Sequence, residues 1–197
     1  MTDPHPRRRR KLLSLFGLGK NEPTPAEAPQ SDSQSSFGLP WASPNDAAVH
    51  ILTTARAYIG ADSDSGQLLA EQEMSRAAGL LVPVEHAAPH VLLILAEQAS
   101  DLVIVANKKS GTQPLSSMDA DDMFGDPLAD DVVRRVCASK VAMASGTYLE
   151  MSAAAEALTK VGEDMEADPP GCADAAVAIA VWLALNMPHI LGSSVWE

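Results

Sequence analysis

The sequence predicts an all-α protein: a compact bundle of five to six helices around an apolar C-terminal helix, preceded by a disordered N-terminal leader. Three observations carry this expectation. First, between Ala175 and Met187 only Asn186 is polar, and a helix that is apolar all round is a buried one. Second, hydrophobic residues make up 46% of the chain but aromatic ones only 4%, so the apolar material is mostly Ala, Leu, Val, Ile and Met, which favour close-packed helices over a β-sandwich. Third, the apolar residues ahead of the C-terminal stretch recur at helical spacing in several runs separated by Pro, Gly and Asp.

The C-terminal helix is bounded by Asp168-Pro169-Pro170-Gly171 on entry and by Pro188 on exit, both helix-incompatible neighbourhoods. Its apolar core, read as Ala175 to Met187, would be roughly 20 Å long at about 1.5 Å per residue, short of the roughly 30 Å of a bilayer core. That length predicts a central core helix in preference to a membrane span.

Three regions follow from composition: residues 1–20 a basic and apolar leader peptide, 21–40 a disordered Pro/Ser-rich linker, and 41–197 an acidic helical domain. In the leader, Arg7, Arg8, Arg9, Arg10 and Lys11 precede Leu12, Leu15 and Phe16. On a helix these three apolar residues share one face beside a cationic end, the pattern of an interfacial membrane anchor or a partner-docking peptide. The linker carries Pro23, Pro25 and Pro29 among Glu, Ser, Gln and Asp and cannot bury enough apolar surface to order itself. Phe37-Gly38-Leu39-Pro40-Trp41 closes it and is expected to pack on the domain edge.

Ser43-Pro44-Asn45-Asp46 predicts the first helix of the body: a cap, a proline at the first helical position and an acid in the first turn. Ala48, Ile51, Leu52, Ala55, Tyr58 and Ile59 mark its buried side, and Gly60 ends it. After a turn at residues 62–66, a second helix places Leu69, Ala70, Met74, Ala77, Ala78 and Leu81 on one side. Val82-Pro83-Val84 breaks it, and Glu85 to Ala106 forms a third with a wide apolar face. Leu102-Val103-Ile104-Val105 is also readable as a short strand. After a loop over 110–126, a helical region from Asp126-Pro127 carries Leu128, Val132, Val133, Val136 and Val141. It is open to interruption at Ser145-Gly146 and continues through Leu149, Met151, Ala155, Leu158 and Val161.

The net charge of −12 is unevenly spread. Residues 1–40 hold six cations against four acids, about +2, which leaves about −14 on the remainder. Such a body does not hold nucleic acid by its own field and repels anionic membranes except through the leader. Cys137 and Cys172 are the two cysteines and lack CxxC spacing, which suggests neither a zinc site nor a disulfide scaffold. With no clear secretory signal, the expected setting is cytoplasmic, with reduced thiols and with the leader at the inner face of the membrane where it docks there.

Chemistry-bearing motifs are sparse. His86 and His90, four apart, would face one way on a helix and are the candidate metal ligands. Ala87 stands where a zincin pattern needs Glu, however, and Pro89 places the pair at a helix start. The acidic run Asp119, Asp121, Asp122, Asp126, Asp130 and Asp131 fails the calcium-loop register: counted from Asp119, position 5 is Met123, position 6 is Phe124 and position 12 is Asp130. Its last acids are expected to favour the next helix's N-terminus. Gly-x-Ser-x-Gly is absent, the fragments at residues 17–20 and 109–112 lack the spacing of a phosphate loop, and Cys137 among Val133 and Val136 reads as a buried, inert thiol.

The expectation is therefore a non-enzymatic interaction module, an adaptor, chaperone-like partner or regulatory subunit without catalytic residues or cofactor. Its leader would bring it to an anionic membrane surface or a second partner, and alanine-rich helices make a homodimer as easy to build as a monomer. Two other classes fit less of the sequence: a protein exported by a specialised bacterial secretion machine, from the polar Ser/Pro-rich start, and a metal-dependent enzyme using His86 and His90.

Overall fold

A computed structural model describes residues 40–111 and 123–192. It is all-α: six helices, with no strand among the described residues. These are α1 Pro44–Ile59, α2 Asp64–Leu81, α3 Ala87–Ser110, α4 Pro127–Ser145, α5 Tyr148–Ala167 and α6 Pro169–Leu191. The leader residues Arg7, Arg8, Arg9, Arg10, Lys11, Leu12, Leu15 and Phe16, the linker up to Leu39, Asp119, Asp121 and Asp122, and the terminal residues 193–197 lie outside the described residues.

Local chemistry sets the helix starts. Ser43 Oγ accepts from Asp46 N at 3.2 Å and Pro44 opens α1. Ser63 Oγ accepts from Gly66 N at 3.2 Å, so α2 begins inside the segment whose composition reads as a turn. Asp126 accepts from Ala129 N at 2.8 Å, which bears out its expected place at the N-terminus of α4. Thr147 and Glu150 form a capping box, the Thr147 N–H donating to the Glu150 carboxylate at 2.6 Å. Between α4 and α5 the chain turns on Gly146, where a Cβ would collide with the carbonyl of Ala142. At Gly171, whose N–H donates to the Asp168 carboxylate at 3.0 Å, a Cβ would meet that carboxylate and displace the cap of α6.

Helices α3 and α6 form the most extensive contact and make the centre. The α1–α2 hairpin and the α4–α5 hairpin flank this pair, each reaching both central helices. Val91, Leu92, Leu95, Ala96, Ala99 and Leu102 of α3 meet Ala175, Ala176, Ile179, Ala180 and Leu183 of α6, all fully buried. Small alanines let the axes close up and the branched residues fill the space between. Phe124, in the loop before α4, packs on Trp182 of α6 with ring centroids 5.0 Å apart.

The structure corrects several expectations. The stretch Leu102-Val103-Ile104-Val105 is helical, continuing α3 to Ser110. Pro188 does not end the last helix but sits within it. Pro188 forfeits its own bond to the preceding turn, but the turn after it is secured: Gly192 N donates to Pro188 O at 2.9 Å, and the Lys109 ammonium holds the carbonyl of Ile190. The last helix thus has 23 residues, about 35 Å at 1.5 Å per residue, so its length does not distinguish a core helix from a span. Both α3 and α6 are long and apolar enough to cross a membrane, with a mean hydropathy of 1.5 each. In this fold they are each other's principal partners.

The apolar faces also differ from the periodic reading. Leu69 of α2 is 67% exposed, and Leu185 of the otherwise apolar α6 is 44% exposed. The largest departure is α5. Of the residues expected inside, Leu149 is 77% and Met151 39% exposed, and only Val161 and Met165 of this helix are buried. Among the described residues no helix covers its N-terminal half, because α5 packs chiefly on α4 and touches the central pair only lightly.

Candidate functional site

The two histidines are not paired on a helix face. His86 is the N-cap residue of α3, in the left-handed region at φ 60°, and its side chain accepts no capping hydrogen bond. His90 lies one turn inside the helix, and the two rings are tilted with centroids 6.2 Å apart. Both nitrogens of His86 are turned to carboxylates: Nδ1 is 2.6 Å and 2.7 Å from the two oxygens of Glu166 on α5, and Nε2 is 3.4 Å from Glu85. This arrangement ties the α2–α3 junction to the end of α5. Among the described residues no group of three or more His, Cys, Asp or Glu side chains is arranged to hold a metal ion.

Of the acidic run, the described members Asp126, Asp130 and Asp131 each have a structural partner. Asp126 caps the helix. The buried Asp130 turns back to accept from Met123 N at 3.0 Å and Phe124 N at 3.3 Å, fixing the loop that carries Phe124 onto Trp182. Asp131 pairs with Arg135 one turn on, at 2.9 Å.

Both cysteines are buried. Burial, with Asp168 and Glu166 nearby, pushes the Cys172 thiol up to about 12, and its Sγ donates to Met165 O at 3.3 Å. Burial also raises the pKa of Cys137. Thiols held protonated in this way are poor nucleophiles and poor metal ligands.

Two further ionic clusters join helices. Glu73 on α2 accepts from Arg76 Nε and Nη2, both at 2.9 Å, and faces His50 Nε2 of α1 at 3.0 Å. Arg76 first and His50 second lower the Glu73 carboxyl to about 2. Trp41 covers the His50 ring at 5.4 Å between centroids, so the residues leading into the body are anchored on this cluster. On the other flank Lys140 of α4 donates to Asp101 at 2.7 Å and to the carbonyl of Glu97 at 2.9 Å, both on α3.

Open grooves mark the surface formed by the described residues. One, of about 360 Å³, lies between the start of α1 and α3, lined by Pro44, His90, Leu93, Ile94 and Glu97. Another, of about 630 Å³, runs between α4 and α5, with Ala153 and Ala157 on its floor and Arg135, Glu156, Lys160 and Glu163 around it. Ser43 also lines the first groove and Thr159 the second, but the Ser43 hydroxyl donates to the Asp46 carboxylate at 2.8 Å and the Thr159 hydroxyl to Ala155 O at 3.0 Å, so each is held by its own helix.

What the molecule does present is an apolar corner where α4 turns into α5. Met143 is 65%, Tyr148 84%, Leu149 77% and Met151 39% exposed. Periodic reading missed this surface because it assigned Leu149 and Met151 to the core. A signal was present: Tyr148, Leu149 and Met151 are spread around roughly half of a helix circumference, too wide an arc for a helix that a single neighbour covers. From Glu150 onward α5 also carries Glu156, Glu163, Asp164 and Glu166 against the single cation Lys160.

No protein-family model, no curated protein and no solved structure matches the chain.

Proposed function

We propose that the chain is a non-enzymatic protein–protein interaction module, acting as an adaptor, chaperone-like partner or regulatory subunit, with the α4–α5 corner as its contact surface. The observation that supports this reading is the cluster Met143, Tyr148, Leu149 and Met151, four large apolar side chains left in water at one corner. Scattered single exposures are ordinary, whereas a contiguous apolar patch beside charged residues is the common signature of a protein contact. In the same reading the leader residues Arg7–Lys11 with Leu12, Leu15 and Phe16 bring the module to an anionic membrane surface or a second partner, each basic residue near such a surface adding about 1 kcal/mol.

Affinity capture compares three forms of the protein: the full chain, a form lacking residues 1–40, and Y148S/L149S/M151S, whose substituted side chains lie outside the core. The expected result is loss of specific partners from the triple variant with its unfolding midpoint unchanged, and loss of a second set, or of sedimentation with anionic liposomes at low salt, from the truncated form. Retrieval of one and the same set by all three forms would sink the reading.

A further inference from the structure

We propose that the exposed strip of α5 is the docking surface of the chain's own leader. Leu12, Leu15 and Phe16 would cover Tyr148, Leu149 and Met151, while Arg7–Lys11 lie along Glu156, Glu163 and Asp164. The leader is then held in cis until a membrane or a partner competes for it. This rests on the interaction reading above and adds its regulation.

Four observations carry the assignment. Charge is the first: the leader is the cationic part of a chain whose net charge is −12, and α5 beyond its first turn is among the most acidic surfaces of the body. Glu156, Glu163 and Asp164 form no ion pair among the described residues, whereas Glu150 is engaged in the capping box and Glu166 with His86. Opposing cations are few on this face. Among the described residues lining the α4–α5 groove, Arg135 is neutralised by Asp131 at 2.9 Å, which leaves Lys160.

Order is the second. In the leader the basic block comes before the apolar one, and on α5 the apolar end comes before the acidic one. Laid antiparallel, apolar therefore meets apolar and base meets acid.

Reach is the third. About two dozen residues separate Phe16 from Pro40, where the described structure begins; as a coil they span roughly 27 Å and extended about 80 Å. A body of this size has a radius of gyration of about 15 Å, so the strip lies within range. Concentration is the fourth: a segment tethered by such a linker experiences a millimolar-scale effective concentration of its site, so a weak basic-apolar contact suffices.

Trypsin cleavage after Arg7–Lys11 reads the contact directly. Dilute full-length protein is digested beside a synthetic peptide of residues 1–20, and the appearance of the shortened products is followed by mass spectrometry. In the full chain, cleavage at this block should be slower than in the peptide by at least about tenfold, and 0.5 M salt should remove much of the protection. Both Y148S/L149S/M151S and E156K/E163K/D164K should restore the peptide's rate while keeping the native circular dichroism.

Equal rates in chain and peptide would overturn the proposal. So would protection indifferent to both variants, which places the leader elsewhere, or protection lost on roughly hundredfold dilution, which makes a second copy the occupant. These readouts need no partner. A free leader whose deletion still removes captured partners defeats the cis contact and spares the interaction reading. A protected leader with capture unchanged in every variant does the reverse.

Discussion

His86 Nδ1 lies 2.6 Å from a carboxylate oxygen of Glu166, 80 residues further along the chain. The contact fastens the last turn of α5 to the entry of α3, while the first turn of α5 stands free of the core. Both side chains are about half exposed, so the pair is screened and worth little on its own. Replacing Glu166 by Gln is expected to lower stability by less than about 1 kcal/mol in urea titration, with the difference shrinking as salt rises. At His86 the backbone adds a second effect, because φ is 60°. H86A loses the pair and keeps a Cβ in the left-handed region; H86G loses the pair and relieves it. H86A should therefore be the less stable of the two by about 1 kcal/mol.

Asp130 is a buried carboxylate whose partners are backbone N–H groups. Asp130→Ala would leave the amides of Met123 and Phe124 without their acceptor, at a cost of about 1–3 kcal/mol. Asp130→Asn retains one acceptor oxygen and should lose less. Fluorescence of Trp182, which Phe124 covers, reports the release of this loop independently of global unfolding.

The two sides of α6 should respond differently to truncation. Ile179 is fully buried between the central helices and Leu185 is 44% exposed. Ile179→Ala is expected to cost about 2–5 kcal/mol through lost burial and the cavity left behind. Leu185→Ala should cost well under half as much, since much of its side chain is already in water. Equal losses in urea titration would mean that the burial pattern of α6 is wrong.

Cys172 gives a pH signature. Its thiol is raised from about 9 in an unfolded chain to about 12 in the folded protein. The folded state therefore disfavours the thiolate. The contribution to stability is fully present below pH 9 and disappears as pH rises through about 12, because over that window only the unfolded chain gains by ionising. The stability difference between wild type and C172A should narrow across this range. Alkylation by iodoacetamide at pH 8 should be at least about a hundredfold slower in native protein than in urea.

The starts of α1 and α4 were legible in the sequence because a cap is a local matter. Ser43 and Asp126 each bind an amide three residues away, and Pro44 and Pro127 occupy the first helical position where a missing N–H costs nothing. The entry to α6 read as helix-incompatible, whereas Asp168 caps it in the same way and Pro169, Pro170 and Gly171 form its first turn. The class of fold and the central place of the last helix were legible for a related reason: a run with almost no polar residue has to be covered on nearly all sides. Its length was not, because Pro188 reads as a stop while the bond to Ile190 O that secures the final turn comes from Lys109 on another helix.

Periodicity shows which residues share a face and says nothing of whether another helix arrives to cover it. Leu69, Leu149 and Met151 fall on apolar faces by spacing and are left in water by the packing of the two hairpins. The α4–α5 corner, and with it the candidate interaction surface, exists only because α5 leans on α4 and reaches the centre solely through its far end. His86 and His90 suggested a shared ligand because their spacing is helical, but the helix begins after His86, and Glu166 takes one ring nitrogen. Composition and local hydrogen bonding determined the helices. Which of their faces meet, and which apolar side chains remain uncovered, was decided by contacts between residues distant in sequence, whose partners no local pattern names.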